Sequence, residues 1–241
     1  MEKQTVLITG ANKGIGLESA RQLAKAGYYI YLGSRDQDRG QKAVEQLKAE
    51  GINDVELLLI DVTSEASVQK AHDELAAKIN HLDVLINNAG IPGSFPQKAD
   101  TVSDDTMKEV FEVNFFGVIR TVRIFIDLVK KSPNPRIVNV TSDLGSLTYH
   151  NDPEWEHYEI KSAAYGPSKT ALNAYTVALA YDLKDQVKVN MVNPGYTNTE
   201  FNGNRGPKPV EDGAAPIVKY AMIGTDGPTG KFFSDYGESP W

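Results

Sequence analysis

The chain contains no cysteine in 241 residues, which removes disulfides, thiolate metal sites and thiol catalysis together. That composition fits a reducing compartment, and a cytoplasmic location is the expectation. Uninterrupted apolar runs are short. The longest apolar stretch, Val110 to Val129, is broken by Glu112, Arg120, Arg123 and Asp127. A membrane span needs about 18 unbroken apolar residues, so none is expected. No basic segment with a cleavage site precedes the strand-like run at Thr5, so no signal peptide is expected. Positive charge is in deficit: 25 Lys and Arg against 32 Asp and Glu leave −7, which weighs against nucleic acid as a partner. At 41% apolar and 24% charged residues the chain is not of the disordered class. Its length suits one domain of the larger α/β kind.

What the sequence does contain is an alternation of strand-sized and helix-sized segments. Thr5–Thr9, Tyr28–Leu32, Val55–Ile60, Leu82–Ile86, Arg136–Val140 and Val187–Val192 read as strands. Most are continuous apolar runs, as expected of strands covered on both faces. Between them Gly14–Ala26, Gln37–Ala49, Glu65–Asn80 and Ala163–Leu183 carry apolar residues at helical spacing. The alternation predicts βαβ units and a single-domain, doubly wound parallel sheet of the Rossmann type, with helices on both faces. Two segments fit poorly. The polar and aromatic stretch at about 143–162 reads as an insertion, and the Gly- and Pro-rich stretch within about 196–210 as a substrate loop.

The first strand runs into Thr9-Gly10-Ala11-Asn12-Lys13-Gly14-Ile15-Gly16 and then at once into an amphipathic helix. Glycines at such a turn let the backbone approach a pyrophosphate, which then lies on the helix N-terminus. The spacing is G-x-x-x-G-x-G, and the strand before it and helix after it point to a dinucleotide site. Further along stand Asn87-Asn88-Ala89-Gly90 after the fourth strand, Tyr165-x-x-x-Lys169 on a helix, and Pro194-Gly195 after the sixth strand. On a helix, residues i and i+4 project from one face, so Tyr165 and Lys169 can meet one ligand.

These motifs, in this order, resemble the short-chain dehydrogenase/reductase family, and in detail its NADPH-dependent carbonyl reductase branch. The resemblance extends from Val6 to about Phe233. It implies hydride transfer between NADP(H) and a small carbonyl compound. Tyr165 matches the general acid that protonates the carbonyl oxygen, its phenol shifted down by the ammonium of Lys169, which also binds the nicotinamide ribose. Ser142 matches the hydroxyl that orients the carbonyl, with Thr141 as the alternative if the strand register differs by one. Asn114 matches the asparagine whose helix kink holds a water linking Lys169 to solvent.

On the cofactor side the resemblance places Gly10, Asn12, Lys13, Gly14, Ile15 and Gly16 at the pyrophosphate. Asp61 and Val62 match the adenine pocket, while Asn88, Ala89 and Gly90 match the segment along the ribose. Pro194, Gly195, Thr197 and Thr199 match the loop that fixes the nicotinamide carboxamide. NADPH is expected over NADH because the second strand ends at Ser34, followed by Arg35, with Lys13 nearby in the glycine loop. Asp36 either caps the next helix or, if the strand ends later, stands at the discriminating position.

Pocket walls are expected from Ile91–Phe95, Leu144–Tyr158 and Tyr196–Pro209. Leu144, Tyr149, Trp155 and Tyr196 suit an aromatic or bulky hydrophobic carbonyl compound. Two other functions remain open: an alcohol, sugar or steroid dehydrogenase working oxidatively, and a non-catalytic NADP-sensing regulator. No metal is expected; His150 and His157, near Asp152, Glu154 and Glu156, lack a ligand spacing. A monomer is expected, because the acidic and bulky run Asn151–His157 would set like charges against each other in a helix-paired dimer.

Overall fold

The computed structural model describes residues 3–241. Eight strands form one sheet: β1 (Thr5–Ile8), β2 (Tyr29–Ser34), β3 (Val55–Leu59), β4 (Val84–Asn87), β5 (Arg136–Val140), β6 (Lys188–Val192), β7 (Phe232–Ser234) and β8 (Gly237–Glu238). Their order is β3-β2-β1-β4-β5-β6-β7-β8, parallel throughout except for the terminal β7–β8 pair. Helices α1 (Gly14–Lys25), α2 (Gln37–Ala49) and α8 (Val210–Ala221) cover one face. The other face takes α3 (Glu65–Ala76), α5 (Gly117–Lys130) and α7 (Tyr165–Asp182). Alternate strand residues serve the two cores: Val6 and Ile8 face the first, Leu7 the second. Among the described residues no helix is long and apolar enough to cross a membrane.

Several element ends differ from the sequence expectation for local reasons. The third helix stops at Ala76, four residues before Asn80, and Lys78 just beyond it reaches Glu74 and Glu56 at 2.9 Å each. Tyr28 lies outside β2, because its N–H caps α1 at the Leu23 carbonyl. The last central helix begins at Tyr165 and not at Ala163, with the Ala164 and Tyr165 N–H groups taken by the side chain of Gln97.

The apolar stretch after Val110 is helical almost throughout. It comprises α4 (Asp104–Phe111), a π-turn at Glu112–Phe116, and α5. The insertion folds as a 3₁₀ turn at Asp143–Gly145 and a short α6 (Leu147–His150). The later loop carries a 3₁₀ turn at Glu200–Asn202 and is pinned by a bridge between Thr197 and Lys208.

Strand order reverses between β1 and β4, and in such sheets ligands bind in the crevice beyond the strand C-termini. The glycine loop, Asn88–Gly90, Ser142 and Pro194 all lie at those ends, following β1, β4, β5 and β6.

Candidate active site

The glycine loop is held from below by the β4 segment. Asn88 donates through Nδ2 to the carbonyls of Thr9 (2.9 Å) and Gly10 (3.1 Å). The N–H groups of Asn88 and Ala89 both donate to the Thr9 hydroxyl, at 3.0 and 3.1 Å. This close approach explains two glycines. A β-carbon on Gly16 would lie 2.5 Å from Asn88 Nδ2, and Gly10 has φ of +64° with Ala89 against it. Asn88 and Ala89 therefore shape the loop, whatever they also touch.

At the start of α1, Lys13 makes no side-chain cap and the first turn holds no acid. By contrast α2, α3 and α4 are each capped by a side chain, from Asp36, Ser64 and Ser103. The first-turn N–H groups of α1, flanked by Asn12, Gly14 and Ile15, thus lack a side-chain acceptor and fit a phosphate. Gly14 lies under Thr199, whose methyl would be 3.5 Å from an added β-carbon.

Strand β2 runs two residues past the Leu32 read from its apolar run, and so reaches the position expected to discriminate between cofactors. Ser34 is its last residue, and Asp36 caps α2 by accepting from Arg39 N at 2.9 Å. Ser34 itself is buried, with its hydroxyl donating to the Asp36 carbonyl at 2.8 Å. Arg35 is exposed and makes no ion pair among the described residues. Lys13 pairs with Glu200 at 2.7 Å, and Glu200 is held below the usual carboxylate range by Lys13 first and Arg39 second. Neither Glu200 nor Arg39 carried a signal in the sequence.

Asp61 accepts from both the N–H and the hydroxyl of Thr63, at 3.0 and 2.8 Å, through one oxygen. Val62 is buried, its carbonyl bonded by Arg120. Beyond β6, Gly195 turns with φ of +75°, and its N–H donates to Asn193. The Thr197 hydroxyl donates within the loop, to the carbonyls of Pro194 (3.2 Å) and Gly195 (3.1 Å). Thr197 is 2% exposed, so its side chain holds the loop's shape and is not presented to a ligand.

Tyr165, Ser142, Lys169 and Asn114 are brought together. Thr141 turns away, donating to Asn173 Oδ1 at 2.7 Å, which leaves Ser142 as the hydroxyl facing Tyr165. Burial pushes the Tyr165 phenol up to about 12, and the bond to Ser142 pulls it the other way. The family resemblance implies a lysine that lowers this phenol. Instead burial outweighs every opposing effect, although Lys169 Nζ lies 5.9 Å from the ring centre. Burial also brings Lys169 down to about 8, and its Nζ donates to the Val140 carbonyl at 2.9 Å.

Asn114 sits in the π-turn between α4 and α5. Its Oδ1 accepts from Ile91 N (2.9 Å), while Nδ2 donates to Ile91 O (3.0 Å) and Ser168 Oγ (3.1 Å). Gly90 lies between: a β-carbon there would stand 3.3 Å from Asn114 Oδ1 and 3.8 Å from Lys169 Nζ.

Aromatic rings line the approach. Tyr149 stacks on Trp155 at 5.0 Å, and Trp155, His157 and Tyr196 continue edge to face. Phe201 meets the Tyr165 ring at 5.7 Å, a contact with no signal in the sequence because the two residues lie on separate loops and elements. His150 Nε2 pairs with the Leu144 carbonyl at 2.9 Å and braces the insertion.

The family model described as short chain dehydrogenase matches residues 4–209. The chain is 33% identical to short-chain dehydrogenase/reductase 1 of Saponaria officinalis, over all of this chain and 97% of that one. The solved structure of salutaridine reductase from Papaver somniferum has 30% identity and a TM-score of 0.85, covering 97% of this chain and 100% of that one. An NADPH-bound carbonyl reductase from chicken fatty liver superposes with a TM-score of 0.86 over both whole chains, at 23% identity, and shares the fold. The chain belongs to the short-chain dehydrogenase family, whose members are oxidoreductases using NAD(P)(H).

Proposed function

We propose that the protein transfers a hydride from NADPH to an aldehyde or ketone, with Tyr165 as the general acid. The observation that carries this reading is the Ser142–Tyr165 pair beside buried Lys169, at the crevice end of the sheet. NADPH, when bound, supplies the hydride to the carbonyl carbon. Ser142 donates a hydrogen bond to the carbonyl oxygen, and Tyr165 passes that oxygen its phenolic proton. A phenol held near 12 is protonated at neutral pH, as an acid must be before it acts. The Lys169 ammonium stabilises the phenolate left behind, and Asn114 orients the path by which the proton is replaced.

On this reading Gly10, Asn12, Gly14, Ile15 and Gly16 surround the pyrophosphate, with Asp61 and Val62 at the adenine. Asn88, Ala89 and Gly90 follow the ribose, and Pro194, Gly195, Thr197 and Thr199 frame the nicotinamide through backbone groups. Preference for the 2′-phosphate rests on Arg35 and Lys13, with Arg39 close by and no acid at the end of β2. The aromatic row from Tyr149 to Tyr196 favours an aromatic or bulky hydrophobic carbonyl compound. The reductase names of two of the similar proteins support the reductive direction. The same reading takes the protein to be a cytoplasmic monomer.

An absorbance assay of NADPH and NADH consumption, with a panel of aryl and alkyl aldehydes and ketones, tests it. NADPH consumption with aryl ketones is expected. Turnover confined to alcohols, or to NAD(H), would contradict it.

A further inference from the structure

Gln97 lies in the loop after β4, 68 residues before Tyr165 and outside every motif. Its side chain is 4% exposed. Its Oε1 accepts from two successive backbone N–H groups, Ala164 at 3.2 Å and Tyr165 at 3.0 Å. Its own carbonyl accepts from Ala163 N at 3.0 Å. Its Nε2 donates to the carbonyls of Pro92 (2.7 Å) and Ser94 (3.3 Å). Gly93, with φ of +75°, allows that wrapping, since a β-carbon there would stand 2.9 Å from Nε2.

Helix α7 needs such a partner. The first N–H groups of a helix have no acceptor within it, and Ala164 at the N-cap offers no side chain. Gln97 supplies the missing acceptor from a distant loop, and Ser162 Oγ accepts the next N–H, from Gly166, at 2.9 Å. Tyr165 is the first residue of the helix, where fraying is easiest. A helix free to fray there would let the phenol drift from Ser142, and small displacements of a reacting group cost large factors in rate.

We propose that Gln97 is a positioning residue for the proton donor: it fixes the first turn of α7 and ties it to the Ile91–Phe95 pocket wall. It touches neither substrate nor cofactor and acts through Tyr165. The role rests on the function proposed above, with Tyr165 as the acid.

The test compares Gln97→Leu and Gln97→Glu with the parent protein, using one aryl ketone and its alcohol, NADP(H), and deuterated NADPH. Gln97→Leu removes every side-chain bond. Gln97→Glu keeps an acceptor for the two N–H groups. Gln97→Leu is expected to lower kcat by at least ~10-fold, with KM for NADPH within about threefold. The deuterium isotope effect on kcat rises as the chemical step becomes limiting. Gln97→Glu cannot donate to the Pro92 and Ser94 carbonyls when ionised, so it is expected to recover part of the loss, and more of it at pH 6 than at pH 8.

A kcat within threefold of the parent in Gln97→Leu, or losses in Gln97→Glu that equal those of Gln97→Leu at pH 6 as well as at pH 8, would overturn the role. If Gln97→Leu does not fold, Gln97→Glu and Gln97→Asn decide alone: relative to Gln97→Asn, the kcat of Gln97→Glu must rise as pH is lowered from 8 to 6. Both reaction directions are measured. A parent active only on the alcohol would contradict carbonyl reduction while leaving the variant ratios readable.

Discussion

Lys169 donates through Nζ to the carbonyl of Val140 at 2.9 Å, two residues before Ser142 on the strand that delivers that hydroxyl. The bond ties the catalytic helix to β5, so ammonium and hydroxyl are set against one frame. Burial leaves this ammonium at about 8, well below an ordinary lysine. The charged form is therefore present below about pH 8 and is lost as pH rises through that value. The prediction is that kcat/KM for carbonyl reduction falls above about pH 8, with a smaller fall in NADPH affinity because a neutral amine can still donate to the ribose. A profile flat to pH 10 would contradict the role given to Lys169.

The Lys13–Glu200 pair joins the glycine loop to the loop after β6, using a cation that a 2′-phosphate would need. Both side chains are more than half exposed, so the pair itself adds little stability. Glu200→Gln is expected to lower KM for NADPH about two- to fivefold and to leave KM for NADH unchanged. The double change Lys13→Ala, Arg35→Ala is expected to raise KM for NADPH sharply and that for NADH little. Equal effects on both cofactors would remove the 2′-phosphate from the argument.

Asp143, next to Ser142, carries a charge whose burial outweighs the support it receives from Tyr236, Ser239 and His157. Its Oδ2 accepts from Tyr236 at 2.8 Å, while its Oδ1 is buried without a hydrogen-bond partner among the described residues. Burial raises its pKa, so the folded protein binds the proton more tightly than the unfolded chain does. Stability is then lost as pH rises from about 4 through the folded value. Asp143→Asn keeps an acceptor for Tyr236 and removes the charge. Its melting temperature at pH 7 is expected to exceed the parent's by roughly 2–4 °C, an effect of about 1 kcal/mol, and to converge with it near pH 4. A lower melting temperature at pH 7 would contradict this reading of Asp143.

Light scattering at micromolar concentration is expected to give the monomer mass of 26.4 kDa. The insertion packs on the start of α7, where Gly145 abuts Lys169 and His150 approaches Gly166. A stable dimer mass would instead implicate the exposed Phe116 of the π-turn and Val177 and Tyr181 of α7.

Most of the sheet was legible because its strands are continuous apolar runs, and β5 is found at the very bounds read from sequence. Tyr165 and Lys169 were legible because their relation is local, one helical turn apart. The stretch α4–α5 was not, since the π-turn inserts a residue into the helix and shifts the phase of its apolar stripe at Asn114. Helix α8 was missed for another reason. It contains Gly213 and Pro216, poor helix formers, and is held by packing Ile217, Tyr220 and Ala221 against the sheet. Gln97 and Glu200 carried no signal because each works only through partners distant along the chain.

The most direct measurement of the central claim is the single-turnover rate of ketone reduction in Tyr165→Phe, with NADPH binding followed by fluorescence in the same preparation. The variant keeps the ring that meets Phe201 and loses only the proton donor. Its rate is expected to fall by about 10²–10⁴, or roughly 3–5 kcal/mol of barrier, with NADPH affinity close to the parent's. A rate within threefold of the parent would show that another group supplies the proton.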